Sequence, residues 1–344
     1  MSIFFDTFNF IKKHKKAIIV SSTVIAGSAA SIYYYLSTKE KPLVEINEKW
    51  ENEYNSRIET IEKKYEYLLS AYSATCQSRM KKYLPKIIQT LDNIYDIESI
   101  IGEIREAKTN EDRAKAFANL GKISIARDIS FSIITCCMIF ALECQANVIA
   151  FEMSHQSKLK ITSESNDSEA YYTKTFLEMI SLFVSENNLK NITNKINEII
   201  FIDMESVNLK KLYTKDEFIN TLTSLGKSIL MDDFFQNISN KFVPNMNFVR
   251  QQQMELVVLF EDYVDLLDII CQNNLIESLV EKYLVMFGSL VYEKIGNEDC
   301  YYIGLIPKIS DTYKEGTTIS QNFDINDILK NIQQHCYYKL KKKN

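Results

Sequence analysis

The side chains that could do acid–base or metal chemistry are few and scattered. His14, His155 and His335 are the only histidines, and none has a carboxylate or a second histidine at ligand spacing. The seven cysteines form no C-x-x-C pair and no Cys/His metal pattern. No glycine-rich phosphate loop, G-x-S-x-G or H-E-x-x-H motif occurs. The sequence therefore indicates a protein that is not an enzyme and uses no cofactor or metal.

The acidic pairs have an ordinary structural interpretation. Asp232-Asp233 and Glu261-Asp262 are adjacent carboxylates, but in an acidic helical chain such pairs usually belong to the solvated surface. The net charge is -5, although lysines are concentrated near both ends of the chain. An acidic body lacks the clustered lysine and arginine that phosphate contacts require, so we expect no nucleic-acid partner.

The composition favours helices. With 8 glycines and 4 prolines in 344 residues, the chain has too few turn residues for a fold with many strands. Residues 17–36 contain no charge and follow a basic segment at residues 1–16. A helix of about twenty residues spans roughly 30 Å, the thickness of a bilayer core. We predict an all-α fold with a single N-terminal transmembrane helix, a linker at residues 37–49 and an elongated helical bundle at residues 50–340.

A cleaved secretory signal is the alternative for the apolar segment, because Gly27, Ala29 and Ala30 resemble a processing site. The segment is longer than such signals and ends in three tyrosines suited to a membrane interface, which favours a retained anchor. The cysteines are unpaired by spacing, which is typical of a reducing compartment and places the bundle in the cytosol.

Apolar spacing of three and four residues predicts the helices of the bundle. The first begins near Trp50 and ends or kinks at Pro85, and the second covers residues 87–108. A capping box at residues 109–112 starts a third helix that reaches about residue 153. Its uncharged run, residues 129–142, is too short for a membrane span and indicates a buried central helix. Further helices are expected at residues 171–188, 190–206, 215–240, 247–272, 274–294 and 324–341.

Several segments, in order along the chain, resemble the peroxin-3 family of peroxisomal membrane anchors. They are residues 9–16 with the apolar segment that follows, Leu120-Gly121-Lys122-Ile123-Ser124-Ile125-Ala126-Arg127, Cys137-Met138, Gln145-Ala146-Asn147-Val148-Ile149 and residues 302–308. The resemblance spans most of the chain, although residues 155–295 match only in helical character.

The resemblance implies a function in peroxisome biogenesis. Members capture an amphipathic N-terminal helix of the import receptor peroxin-19, which delivers membrane proteins, by helix-in-groove binding. The chain would lie in the peroxisomal membrane, with transit through the endoplasmic reticulum possible, its N-terminus in the organelle and its bundle in the cytosol. Phe117 stands where the family has a tryptophan, and Gly304 stands where it has a lysine, for which Lys308 is a substitute. The other groove residues implied by the resemblance are Arg113, Ala116, Leu120, Ile100, Ile101, Ile104 and Asn147.

Alternatives remain open from the sequence alone. The isoleucines and Leu120 fit ordinary core packing as well as they fit a groove. The lysines at residues 12–16 outnumber those just after the apolar segment, so the positive-inside rule predicts the opposite orientation. A helical tether or scaffold of the endoplasmic reticulum that binds an unrelated partner is the competing function, and a luminal enzyme with a signal anchor is a third.

Overall fold

The structure is a computed structural model that describes residues 61–155, 174–205, 208–242, 254–272, 275–316, 320 and 326–343. The predicted basic segment (1–16), transmembrane helix (17–36) and linker (37–49) lie outside the described residues. The chain divides into two units, one of Met1–Leu68 with Glu152–Lys174 and one of Leu69–Phe151 with Thr175–Asn344. Of the smaller unit, the structure describes little more than the ends of two helices, so the account below concerns the larger unit.

The described residues are almost wholly helical, which confirms the predicted all-α class. The helices are α1 (Ile61–Ile94), α2 (Ile97–Glu106), α3 (Asn110–His155), α4 (Ile180–Phe183), α5 (Glu186–Asp203), α6 (Lys215–Met231), α7 (Asp233–Gln236), a 3-10 turn (Ile238–Lys241), α8 (Met254–Gln272), α9 (Leu275–Glu293), α10 (Tyr302–Lys314) and α11 (Asn326–Lys343). One pair of two-residue strands was not predicted. In it β1 (Leu212–Tyr213) pairs antiparallel with β2 (Cys300–Tyr301), and Leu212 lies opposite Tyr301.

The long helix α3 is the core of the larger unit. It begins at the predicted cap, where the Thr109 hydroxyl accepts a hydrogen bond from the Asp112 amide at 3.0 Å and donates one to the Asp112 carboxylate at 2.7 Å. Every residue from 124 to 151 is buried. Among the described helices α3 alone is long and apolar enough to cross a bilayer, but its apolar window is wholly buried inside the protein. This burial supports the interpretation of α3 as a central core helix.

Helix α1 packs antiparallel to α3. The Ser73 hydroxyl donates to the Glu143 carboxylate at 3.1 Å, and at the other end of the contact Tyr95 and Ser130 share a hydrogen bond of 2.7 Å between their hydroxyls. Residue numbers therefore rise along α1 as they fall along α3, which is the antiparallel arrangement.

The sequence predicted that Pro85 ends or kinks the first helix and that a second helix covers residues 87–108. The end at Pro85 and the start at residue 87 are wrong, because α1 continues through Pro85 to Ile94. Leu84 and Ile87 on either side of the proline are completely buried. Their packing outweighs the roughly 3 kcal/mol that an internal proline costs a helix. The break comes instead at Asp96, whose side chain caps α2 by accepting a hydrogen bond from the Ser99 amide at 3.1 Å.

Two later helices run parallel to α3 and cover different stretches of it. Helix α10 lies beside the first half of α3, where Tyr302 touches Gly121 and the ring of Tyr313 packs edge-on against Phe131 at 5.8 Å. Helix α11 lies beside the second half. There Gln333 donates to the Glu143 carboxylate at 2.7 Å, and Tyr337 packs against Phe151.

The pair α6 and α9 approaches closely at glycines. A Cβ atom at Gly226 would lie 2.6 Å from Leu284, and one at Gly288 would lie 2.7 Å from Ile219, so neither position has room for a larger residue. Gly226 faces Leu284, and the earlier residue Ile219 faces the later residue Gly288, so the two helices are antiparallel.

Two predictions for the segments that contain the acidic pairs need correction, one about the end of a helix and one about exposure to solvent. The helix expected over residues 215–240 ends at Met231, because the Asp232 side chain accepts a hydrogen bond from the Phe234 amide at 2.9 Å and starts the short helix α7. The pair Glu261-Asp262 is not a solvated face, since Glu261 is exposed but Asp262 is only 4% exposed. The helix places these neighbours about 100° apart, so one can face the core while the other faces water.

Candidate docking surface

The chain path brings α2 alongside the start of α3, where the sequence predicted a groove. The hydrogen bond between Tyr95 and Ser130 anchors the end of α1 about 30 Å along α3 from Asn110. Helix α2, about 15 Å long, and two short connections must cover that distance. They can do so only if α2 runs back along the first part of α3. The predicted residues of α2 and those at the start of α3 therefore lie on neighbouring helices.

The predicted residues on α3 range from exposed to buried over two helical turns. Arg113 is exposed, and its guanidinium donates a hydrogen bond to the Ala107 carbonyl at 3.4 Å. Ala116 and Phe117 are half-buried, and Leu120 is 8% exposed. Phe117 thus exposes part of its aromatic ring to solvent, while Leu120 belongs mainly to the core.

The isoleucines of α2 divide in the same way. Ile101 and Ile104 are half-buried, together with Ile97 on the preceding turn. Ile100 is only 6% exposed and is core. The exposed positions of α2 are mostly charged or polar, so its half-buried isoleucines form an apolar edge between the core and the solvent.

Asn147, one of the predicted docking residues, is completely buried and does not lie on the surface. It has no exposed surface, and its amide nitrogen donates to the Glu143 carbonyl at 2.7 Å. Lys308 is half-buried on α10, and its neighbour Ser310 accepts a hydrogen bond from Arg127 at 3.1 Å. That contact places Lys308 roughly 12–15 Å along α3 from Phe117, so the structure does not bring the two side chains together.

An exposed apolar patch next to this site was missed by the sequence analysis. Five of the ten large hydrophobic side chains that are exposed among the described residues lie at the end of α5, on the paired strands and at the start of α10. We call them the apolar patch, and they are Phe201, Ile202, Leu212, Tyr301 and Ile303. Ile202 is 73% exposed and Tyr301 is 56% exposed. Large exposed apolar side chains that cluster on a surface usually mark an interaction site.

Two contacts connect the apolar patch to α3. Tyr302, which lies between Tyr301 and Ile303, packs against Gly121, where a Cβ atom would lie 2.8 Å from its ring. The Lys122 ammonium lies 5.6 Å from the centre of the Phe201 ring. Residues 117 and 121 lie one turn apart on the same face of a helix. Phe117 is therefore about 6 Å along α3 from Gly121, where Tyr302 packs.

The paired strands give the patch its outward face. Leu212 and Tyr301 are cross-strand partners, so their side chains project from the same side of the ladder, and both are exposed. Tyr213, on the other side, packs at 5.9 Å from the ring of the buried Tyr302. The backbone also ties the two segments together, since the Tyr302 amide donates to the Lys211 carbonyl at 2.9 Å.

Charged groups of both signs border the apolar surface. Lys122, Lys210 and Lys211 lie beside the patch, and so does Asp203 at the end of α5. On the first turns of α3, Lys115 pairs with Glu111 at 2.8 Å, and both side chains are highly exposed. An apolar strip with a mixed charged rim suits the apolar face of an amphipathic helix, whose flanking positions are polar.

A signal for part of the patch was present in the sequence. The run Ile199-Ile200-Phe201-Ile202 closes an otherwise amphipathic helix. Four consecutive apolar residues cannot all lie on one helical face, so at least one of them must point to solvent. Leu212 and Tyr301 had no such signal, because their pairing depends on strands almost ninety residues apart.

The described residues contain no group of three or more histidine, cysteine, aspartate or glutamate side chains that could hold a metal ion. A cavity between α6 and α9 has a volume of about 120 Å³ and is lined partly by Lys227 and Glu277, which form an ion pair of 3.1 Å. Pockets that enclose small-molecule ligands are usually about 300–1,000 Å³, so this cavity is too small for that purpose.

Buried polar groups lie away from the apolar surface and connect the core helices. Glu143 accepts hydrogen bonds from Ser73 and Gln333, and burial raises the pKa of its carboxyl while these donors oppose the rise. Arg127 bonds to Ser310 and lies 3.9 Å above the ring of Tyr313. These contacts join α1, α10 and α11 to α3, which is a structural role.

Comparisons with known proteins add no assignment to this geometry. The chain matches no protein-family model and no curated protein sequence. Its likeness to the peroxin-3 family therefore rests on the sequence segments described above.

Proposed function

We propose that this chain is a membrane-anchored docking protein that captures an amphipathic helix of peroxin-19 in the insertion of peroxisomal membrane proteins. The observation that best supports this function is the half-buried Phe117 one helical turn from Gly121, which packs against Tyr302 between the patch residues Tyr301 and Ile303. Together Phe117 and the patch offer a partner helix an aromatic anchor and a strip of exposed apolar side chains. The proposed anchor is the uncharged segment at residues 17–36.

The binding mode follows from the apolar surface. The apolar face of the receptor helix would lie over Phe117 and extend toward Phe201, Ile202 and Tyr301, beside the place where Tyr302 covers Gly121. Aromatic side chains near the middle of an interface commonly contribute most of the binding energy. Ile101 and Ile104 would form the opposite edge, and Arg113 would contact polar flanking positions of the receptor helix.

The proposed location is the peroxisomal membrane, with the bundle in the cytosol. Cys76, Cys136, Cys300 and Cys336 are free thiols, as expected for a domain in a reducing compartment. A soluble import receptor could reach the docking surface only from the cytosol. The contrary expectation from the positive-inside rule makes orientation a property to measure.

The test is the affinity of the full chain, incorporated in nanodiscs, for a labelled peptide of the N-terminal helix of the same organism's peroxin-19. We expect Phe117→Ala to weaken binding by about 2 kcal/mol or more, roughly thirty-fold, as at an interface hot spot. Phe117→Trp should tighten binding, because it enlarges the buried aromatic surface. Fluorescence anisotropy gives the dissociation constants, and circular dichroism checks that each variant is folded.

Two further variants make the result specific to the surface. Ile202→Ser, at a highly exposed position that cannot unfold the core, should weaken binding several-fold. Met231→Ala is the matched control, because Met231 is 64% exposed at the far end of α6, about 24 Å from the strands. If neither Phe117→Ala nor Ile202→Ser changes the dissociation constant, the docking site lies elsewhere on the protein. No binding at high micromolar peptide would leave an anchored helical tether with an unrelated partner.

A further inference from the structure

The end of α11 is a concentrated basic surface. Lys339, Lys341, Lys342 and Lys343 fall within the last five residues of the helix, and no acidic residue follows Asp327 in this part of the chain. Lys341 and Lys342 are exposed. In a chain with a net charge of -5, such clustering of one sign is not accounted for by the docking function. We call the exposed pair with Lys339 the basic end of α11.

Contacts with α3 establish at which end of the larger unit these lysines lie. Gln333 bonds to Glu143 at 2.7 Å, and Tyr337 packs against Phe151 with 6.2 Å between ring centres. Helix α11 therefore runs parallel to α3, and its last turns lie toward the Phe151 end. Lys341 is about 12 Å beyond Gln333 in that direction.

The chain from the proposed membrane anchor reaches the larger unit at this same end. Ser73 on α1 bonds to the same Glu143 carboxylate at 3.1 Å. Ser73, Glu143 and Gln333 therefore lie at the same height along α3. Because α1 is antiparallel to α3, the turn from Ser73 back to Leu69, where the larger unit begins, points in the direction of Lys341. The residues that precede Leu69 lead back to the uncharged segment at residues 17–36.

We propose that the basic end of α11 contacts anionic lipid headgroups and holds this end of the larger unit against the membrane. The inference rests on the membrane anchor of the proposed function. Clustered lysines near an anionic bilayer are attracted by its surface potential over about one Debye length. A tether also raises the effective concentration of the lysines at the surface, so that contacts too weak to recruit a free protein become populated.

This contact would give the docking surface a defined position. The site around Phe117 and Gly121 lies on the first turns of α3, whereas the basic end lies near its residue 151. The two are separated by more than thirty residues of helix, or about 45–50 Å. The docking surface would therefore lie at the end of α3 away from the bilayer, open to a receptor arriving from solution.

The experiment is lysine acetylation of the full chain in vesicles, read at each lysine by mass spectrometry. One preparation contains phosphatidylcholine alone and the other contains 30% phosphatidylserine. We expect labelling of Lys341 and Lys342 to fall at least three-fold in the anionic vesicles and to recover in high salt, where surface attraction is screened. Lys81 and Lys82 are the matched control, because they are an exposed pair on α1, about 12 Å from Ser73 in the opposite direction.

The possible results separate this inference from the anchor. Flotation of the vesicles first measures whether the chain is inserted, and a chain that does not float would overturn the anchor and the inference with it. An inserted chain with equal labelling of Lys341 and Lys342 in both vesicles would overturn the inference alone. If Lys341 and Lys342 are protected from acetylation equally in both kinds of vesicle and also in high salt, they contact protein and not lipid. That result would also overturn the inference.

Discussion

Asp128 lies on α3 with its carboxylate buried, and neither oxygen has a hydrogen-bond partner among the described residues. Burial raises the pKa of this carboxyl well above its usual value, and the neighbouring Arg127 only partly opposes the rise. Asp128 is thus a group that is protonated in the folded protein over a pH range in which the unfolded chain has already lost the proton. The folding free energy must therefore depend on pH through this residue.

The sign follows from where the proton is held. The contribution of Asp128 is fully present below the unfolded pKa, near 4, and it is lost as the pH rises toward the folded pKa. We expect Asp128→Asn to remove this loss, so that the variant gains at least about 1 kcal/mol over the wild type between pH 5 and pH 8. Urea unfolding of the soluble fragment 44–344 at several pH values measures it. Asp233→Asn, at an exposed aspartate, is the control, and an equal pH dependence in both variants would contradict the assignment.

The exposure of Phe117 could not be predicted from its residue type, because it depends on the surrounding packing. Its aromatic character was evident in the sequence, but its half-buried position depends on how α2 returns along α3. Asn147, predicted to touch a partner, instead bonds to its own helix because the whole of α3 around it is covered. The sequence assigned the two residues similar roles, and burial separates them.

At the scale of elements, the contact between α10 and α3 is determined by one glycine. Gly121 leaves room for the ring of Tyr302, whose hydroxyl would lie 2.9 Å from a Cβ atom at position 121. That ring is buried, and on its other side Tyr213 packs against it at 5.9 Å. The side chain therefore has little freedom to move away. This contact also holds the strands and the apolar patch next to Phe117.

We expect Gly121→Ala to destabilise the fold by about 1–3 kcal/mol, the usual consequence of overpacking a closely packed contact. Gly102→Ala is the matched control, because a Cβ atom at that helical glycine would meet nothing within 4 Å. The control should be neutral or more stable by up to about 1 kcal/mol, since alanine is the better helix former. Urea unfolding measures the free energy of unfolding of both variants. Equal changes at the two glycines would show that the close contact at Gly121 does not contribute to stability.

At the scale of the whole molecule, orientation across the membrane is the property on which the proposed function depends. A docking surface for a soluble receptor must face the cytosol, while the count of lysines around residues 17–36 favours the opposite arrangement. The two arrangements give opposite results with a protease that cannot cross the membrane.

We expect protease added to intact organelles to digest the region from residue 61 to the end of α11 while the organelle membrane remains closed. Antibodies against α11 and against a known luminal protein provide the readout, and the luminal protein should survive until detergent is added. Survival of the α11 epitope would place the bundle in the lumen and exclude capture of a cytosolic receptor. Extraction with alkaline carbonate should leave the chain in the membrane pellet if residues 17–36 span the bilayer.

The helical class, the length of α3 and the cap at Thr109 could all be predicted from the sequence. Scarce glycine and proline, apolar residues at spacings of three and four, and a side chain that bonds its own helix start are all local properties, and local properties can be read in order along a chain. The same reasoning failed at Pro85, because the packing of Leu84 and Ile87 against the core outweighs a local preference.

Which apolar residues remain exposed depends on the packing of the folded chain and could not be predicted locally. Ile100 and Ile101 are indistinguishable by composition, yet one is buried and the other is half-exposed because of how α2 lies along α3. The apolar patch joins the end of α5, strand β1 and the start of α10, which are up to one hundred residues apart in the sequence. Their proximity depends on the packing of Tyr302 against Gly121 and on the pairing of Leu212 with Tyr301, and contacts between distant segments form only when the whole chain folds.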